Sequence, residues 1–196
     1  MQSLLFDFIS KYISLSEKEK EVISSLNIFK SVKKGSVLLK KNEYSNNEYF
    51  ILKGCIRTYY IVDGEEKTTN FYTEMEGLTP NCVQNKKPSE YYIDCLEDSI
   101  ITISNPDMET EMFKKFPKFE SLCRILSEEL LVKEKINFDQ FKISTPEQRY
   151  LRLLEKRPDL IQRIPQHQLA SFLGIKPQSL SRIKSRIMEK ERNKKL

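Results

Sequence analysis

The chain has 196 residues, 33 Lys or Arg against 28 Asp or Glu, and a formal net charge of +5. That length can bury a substantial core, as one large domain or two modest ones. The charge is unevenly spread: residues 142–196 carry 14 basic against 5 acidic side chains, net +9, which leaves 19 against 23, net −4, for residues 1–141. A basic module beside a mildly acidic one points to a nucleic-acid binder attached to a part with another task. A single histidine, His167, removes the usual residue of histidine catalysis, zinc hydrolysis and histidine-ligated haem. Apolar runs are too short for a membrane span, and MQSLLFDFISKYISLSEKEK mixes charge too early for a signal peptide. A cytoplasmic chain without a membrane partner is expected. Cys55, Cys82, Cys95 and Cys123 lie far apart with no CxxC pair, so buried thiols are expected, with no metal site and no cofactor.

Between Leu4 and Leu26 the apolar spacing fits two short amphipathic helices, the second opened by a Ser16 cap with Glu17, Glu19 and Glu21 near its positive end. From Ile28 to Ile103 the pattern changes to short β-branched and aromatic runs: SVLLKKN, EYFILKG, CIRTYYIVDG, KTTNFYT, YYIDCLED and SIITIS. Asp63-Gly64 marks a two-residue hairpin turn between two of them. Strands in series without helices between them predict an antiparallel barrel, roll or sandwich. Asn105-Pro106 then reads as a cap and first residue of a brief helix through Phe113.

Lys118 to Thr145 contains no Gly or Pro, which predicts a long helix from near Phe119 to Phe141, about 34 Å at about 1.5 Å per residue. Its apolar stripe is wide. Ile125, Val132 and Ile136 form one edge; Phe119, Leu126, Leu130 and Phe141 form the other, with Leu122 between. One sheet needs only about 100° of apolar surface, so two partners are expected, the chain's own sheet and the same helix of a second subunit across a two-fold axis. The bland reading covers both sides with the chain's own residues. Lys142 to Thr145 is the expected hinge. Thr145-Pro146-Glu147-Gln148 combines an N-cap, a first-position Pro and a capping-box Gln, so a new helix starts there, and Pro158 ends it. The basic tail ERNKKL is expected to be a frayed, solvated end.

The stretch QHQLASFLGIKPQSLSRIKSRI, Gln166 to Ile187, reads as a helix-turn-helix. Leu169, Ala170 and Leu173 make one short apolar face, Gly174 breaks it, and Leu180, Ile183 and Ile187 start a second at helical spacing. Ala170 is small where the helices cross, Gly174 permits positive φ, Ile175 plugs the corner and Pro177 falls in the first turn of the second helix. With that apolar face inward, Gln178, Ser181, Arg182 and Ser185 face solvent. Gln and Arg can each bind a base edge in two-pronged fashion, while Ser tolerates close approach to phosphate or base. Lys176, Lys184 and Arg186 add positive charge with no acid between residues 176 and 186, and Ser179, Gln166 and His167 complete the candidate double-stranded DNA surface. An ordinary solvated helix face would mix both signs of charge.

This order of elements resembles the Crp/Fnr family of bacterial transcription regulators over nearly the whole chain. The most specific pieces are KKGSVLLKKNEYSNNEYFILKGCIRTYYIVDGEEKT, Lys33 to Thr68, similar to the first strands of a cyclic-nucleotide-binding-type β-roll, and PQHQLASFLGIKPQSLSRIKSRI, Pro165 to Ile187. Gly35, Gly54 and Gly64 match the family's turn glycines, and KPQSLSRI is most similar to the version in Bacteroidetes members. The resemblance implies an α+β fold: an antiparallel β-roll sensor domain with flanking helices at 1–115, a dimerisation helix at 116–141 and an all-α helix-turn-helix domain at 142–196; the chain departs from the family in that no extended wing is expected, since only nine residues follow Ile187. It further implies a homodimer bound to DNA and working with RNA polymerase.

The family's best-known ligand does not carry over. The phosphate cassette corresponds to FYTEMEGLTPNCVQNKKPSEYY, Phe71 to Tyr92, where Glu74, Glu76 and Gly77 stand in the wrong order for a Gly-Glu pair. Pro88 occupies the arginine position, followed by Ser89 and Glu90, so a phosphate loses its forked partner and meets a like charge. Lys86 and Lys87 are the available substitutes. No cysteine precedes Cys55 to ligate the iron–sulfur cluster of the family's oxygen sensor, and no sensor-domain histidine is present to hold haem. The effector is therefore an unknown small molecule or absent. The competing function is a ligand-binding or scaffold protein with a vestigial helix-turn-helix. An enzyme is not expected: there is no nucleophile–base pair, metal-spaced cluster or glycine-rich phosphate loop.

Overall fold

The computed structural model describes residues 1–194, apart from the side chains of Glu191 and Lys194. Two helices open the chain, α1 (Gln2–Ile9) and α2 (Glu17–Ser25), and eight strands follow: β1 (Phe29–Val32), β2 (Val37–Leu39), β3 (Glu48–Lys53), β4 (Ile56–Val62), β5 (Glu65–Tyr72), β6 (Gly77–Leu78), β7 (Tyr92–Cys95) and β8 (Ser99–Ser104). A short helix, α3 (Asn81–Asn85), sits between β6 and β7. The rest is helical: α4 (Pro106–Lys115), α5 (Lys118–Ile143), α6 (Pro146–Lys156), α7 (Pro158–Arg163), α8 (Gln166–Phe172) and α9 (Pro177–Lys194). Among the described residues no helix is long and apolar enough to cross a membrane.

Cα packing divides the chain into two compact units, Met1–Tyr59 with Asn70–Leu131, and Tyr60–Thr69 with Val132–Leu196. The first holds two four-stranded antiparallel sheets, ordered β1-β8-β3-β6 and β2-β7-β4-β5. Alternation places Leu39, Ile51, Ile56, Ile93 and Ile101 in the interior, all at 2% exposure or less. Asp63 and Gly64 both take positive φ, +52° and +78°, the backbone that a tight two-residue hairpin turn requires. At Gly54, φ is +111° and an added Cβ would stand 2.2 Å from the Ser99 Oγ, so that turn admits no side chain.

Helix starts follow their caps. Ser16 and Thr145 each close a full capping box, with Glu19 and Gln148, and Asn105 accepts from the Met108 N–H. Glu19 does more than cap. Its Oε2 also accepts from Lys118 Nζ at 2.7 Å, and the same ammonium donates to the Ser14 carbonyl at 2.6 Å. Charge and hydrogen bonds from Lys118, then from Ser16, hold the Glu19 carboxyl down at about 2.

Several elements differ from the sequence reading. The segments β1, β6 and α3 are too short to show a period, and Pro158 does not merely follow the end of α6 but also opens α7, because proline suits the first position of a helix. The expected hinge at Lys142–Thr145 shrinks, since α5 continues to Ile143. The basic tail is helical through Lys194 rather than frayed, and its last two residues lie outside the described ones. The candidate dimer stripe changes most. Phe119 and Leu122 are buried in their own chain with Ile9 and Ile23, and Leu126 packs on that cluster. Further along, Leu130, Val132 and Ile136 are 41%, 60% and 47% exposed, as are Phe138, Phe141 and Ile143 at 60%, 47% and 73%. Ile125 is half-buried.

Candidate nucleic-acid interface

Within the second unit, α8 ends as its sequence dictates. Gly174 adopts φ +70°, its N–H donates to the Ser171 carbonyl at 2.9 Å, and the Ile175 N–H reaches back to the Ala170 carbonyl at 3.0 Å. This paired closure satisfies the last carbonyls of the helix and turns the chain sharply. Pro177 is then the first residue of α9. Leu169, Ala170 and Leu173 pack with Leu180, Ile183 and Ile187 in a core whose members are all under 10% exposed, along with Leu153, Leu160 and Ile164 of α6, α7 and the end of α7.

One side chain that the sequence did not single out braces this turn. Arg149 of α6 donates through Nε to the Leu173 carbonyl at 3.1 Å, and through Nη1 to the carbonyls of Phe141 and Ser144 at 3.2 and 2.9 Å. Its guanidinium lies 4.4 Å from the Phe141 ring centre. One cation thereby caps the carbonyl ends of α5 and α8. No spacing rule flags it, because it works through carbonyls that only the fold brings together.

The candidate DNA residues fall into two groups. Lys176, Gln178, Ser179, Ser181, Arg182, Ser185, Gln166 and His167 are exposed. Arg182 has no ion-pair partner among the described residues, and α9 has no acid in its first turn. The second group is engaged. Arg186 Nη1 and Lys190 Nζ each lie 2.9 Å from the Glu147 carboxylate at the start of α6, and the hydrogen bond from Lys190, with the charge of both cations, holds that carboxyl below its ordinary range. Lys184 donates to Gln166 Oε1 at 2.6 Å and is half-buried, which pushes its pKa down. Apart from Gln166, which Lys184 engages, the first group faces solvent; the second fastens α9 to α6 and α8.

In the first unit, several of the candidate effector residues are engaged in local contacts. Glu74 Oε1 accepts from the Gly54 N–H at 2.9 Å and Glu76 Oε2 from the Thr73 N–H at 2.7 Å, so both serve loops. Gly77 pairs with Phe50 in β6. Ser89 is buried and bonded to the Tyr91 backbone at 2.8 and 3.3 Å. Lys86, at φ +54°, and Lys87 are exposed. The Asn81 N–H at the start of α3 donates to the Tyr91 hydroxyl at 3.1 Å. A buried arginine in the sheet is likewise committed: Arg57 clasps Asp94 at 3.0 and 2.6 Å and lies 4.0 Å over the Tyr59 ring. A hollow of about 250 Å³ between α2 and α4 is lined by Val22, Leu26, Met108 and Met112 and by none of the candidate effector residues.

No family model matches the chain, and no curated protein matches it. Solved structures do match. FixK2 from Bradyrhizobium japonicum aligns with a TM-score of 0.67 over 83% of this chain and 85% of its own, at 14% identity. The c-di-GMP-responsive global regulator CLP, which links cell–cell signalling to virulence gene expression in Xanthomonas campestris, aligns with a TM-score of 0.64 over 83% of this chain and 87% of its own, at 12% identity. A chain from Eubacterium rectale assigned to the Crp/Fnr family of transcriptional regulators gives 0.64 over 90% and 85%, at 20% identity. The chain has a Crp/Fnr-like fold. Two four-stranded antiparallel sheets followed by a helical C-terminal region, which includes α8 and α9, match it.

Proposed function

We propose that the protein is a DNA-binding transcription regulator that acts as a homodimer. The observation that carries this reading is the outer face of α9: Gln178, Ser181, Arg182 and Ser185 are exposed together, beside Lys176 and without an acid in the first turn. Such a face matches the donor and acceptor pattern of the major groove. Support for the dimer is the run of exposed apolar side chains on α5, with Val132, Ile136 and Ile143 recurring on one face. Two copies of α9 would then read half-sites about 34–36 Å apart on an imperfect palindrome.

The sensor domain takes an effector other than a cyclic nucleotide, or none. Pro88 and Glu90 stand where a phosphate would need donors, and Ser89 is spent on Tyr91. Selection of duplexes from a random DNA library tests the main reading: the full chain enriches a palindrome, and a failure to enrich any sequence overturns it.

A further inference from the structure

We propose that the tip of the β4–β5 hairpin is an acidic clasp that holds α8 and competes with the DNA backbone for the approach to α9. This inference rests on the DNA-binding reading of α9. The tip, Tyr60–Thr69, belongs to the same compact unit as the helix-turn-helix. A single hydroxyl closes the contact: Ser171 Oγ of α8 donates to the Glu66 carbonyl at 3.0 Å and accepts from the Thr68 N–H at 2.9 Å. Those two backbone groups lie two residues apart on β5, the terminal strand of its sheet, so they point outward on the edge that no neighbouring strand covers. Ser171 takes the place of that missing strand.

The chemistry of the tip makes the contact more than a brace. Asp63, Glu65 and Glu66 cluster there against Lys67. The Glu65 carboxyl is held below its ordinary range, first by Lys67 and further by the charge of Lys176, the exposed lysine immediately before α9. Lys176 and the first turn of α9 form a positive, acid-free end that suits a DNA phosphate. In the free chain Glu65 supplies negative charge to the same lysine, and a phosphate arriving there meets repulsion. The clasp is also imperfect. Thr68 is buried, and its hydroxyl has no hydrogen-bond partner among the described residues.

Two variants test the clasp in the full chain. Ser171→Ala removes both hydrogen bonds with a strong helix former, and Glu65→Gln removes the charge while keeping the shape. Each is expected to bind the duplex selected by the wild type about 3- to 10-fold more tightly, with unchanged sequence preference. In Ser171→Ala the Thr68 amide should also exchange its hydrogen faster in the absence of DNA. Wild-type affinity, or weaker, in both variants overturns the clasp and leaves the DNA reading standing. If none of the three enriches a duplex, the DNA reading fails and the clasp falls with it.

Discussion

Replacing Arg182 by Ala separates base reading from simple charge. The Arg182 side chain is exposed and has no ion-pair partner among the described residues, so its loss leaves the packing of Leu180, Ile183 and Ile187 intact. One two-pronged contact to a base edge contributes about 1–3 kcal/mol of discrimination. A two-fold dimer makes it twice, so affinity for the selected palindrome should fall by about 2–6 kcal/mol, from about thirtyfold to about four orders of magnitude. Arg186→Ala is the control on the same helix. Its guanidinium already pairs with Glu147 at 2.9 Å and Lys190 still holds that carboxylate, so stability changes by less than about 1 kcal/mol. Any phosphate contact it makes carries no sequence information, so preference stays and only the salt dependence flattens. Library selection and salt titration with both variants provide the assay. If Arg182→Ala enriches the wild-type sequence with undiminished preference, the base-reading role is wrong.

Light scattering at micromolar concentration should give twice the chain mass of 23.2 kDa, and Ile136→Asp should give monomer, because an unpaired charge buried in the seam costs several kcal/mol; a wild-type monomer refutes the dimer. Leu126 is the wrong site for that test, since it packs on its own chain's cluster. Calorimetry with cyclic AMP or cyclic GMP at millimolar concentration should show no saturable heat, and micromolar binding would implicate Lys86 or Lys87. The Glu19 carboxyl is held at about 2 in the folded chain, so its contribution is present above its ordinary value near 4.5 and is lost as pH falls from there through about 2. Acid unfolding followed by circular dichroism should therefore lose part of its pH dependence in Glu19→Gln, and an unchanged curve would contradict the Lys118–Glu19 contact. Gly174→Ala forces an L side chain to φ +70° with its Cβ 3.2 Å from the Phe141 ring, so thermal unfolding should show a loss of roughly 1–2 kcal/mol, and a neutral result would refute the strained turn.

Local order was legible in the chain because its causes are local. Ser16, Asn105, Thr145 and Pro177 each act within one turn of helix, Asp63-Gly64 within a single hairpin, and the Gly174 closure within six residues, so neighbouring residue types suffice to place them. The polar outer face of α9 follows in the same way from a 100° rotation set by Leu180, Ile183 and Ile187. Contacts between distant segments were decided only by tertiary structure. The apolar stripe of α5 reads as one surface in sequence, yet its first third is consumed by Ile9 and Ile23, more than ninety positions away. Lys184 and Arg186 look as available as Arg182, but Gln166 and Glu147 engage them. Arg149 and Ser171 carry no signature at all, because their partners are backbone groups, and backbone groups are identical at every position until the fold chooses which ones meet.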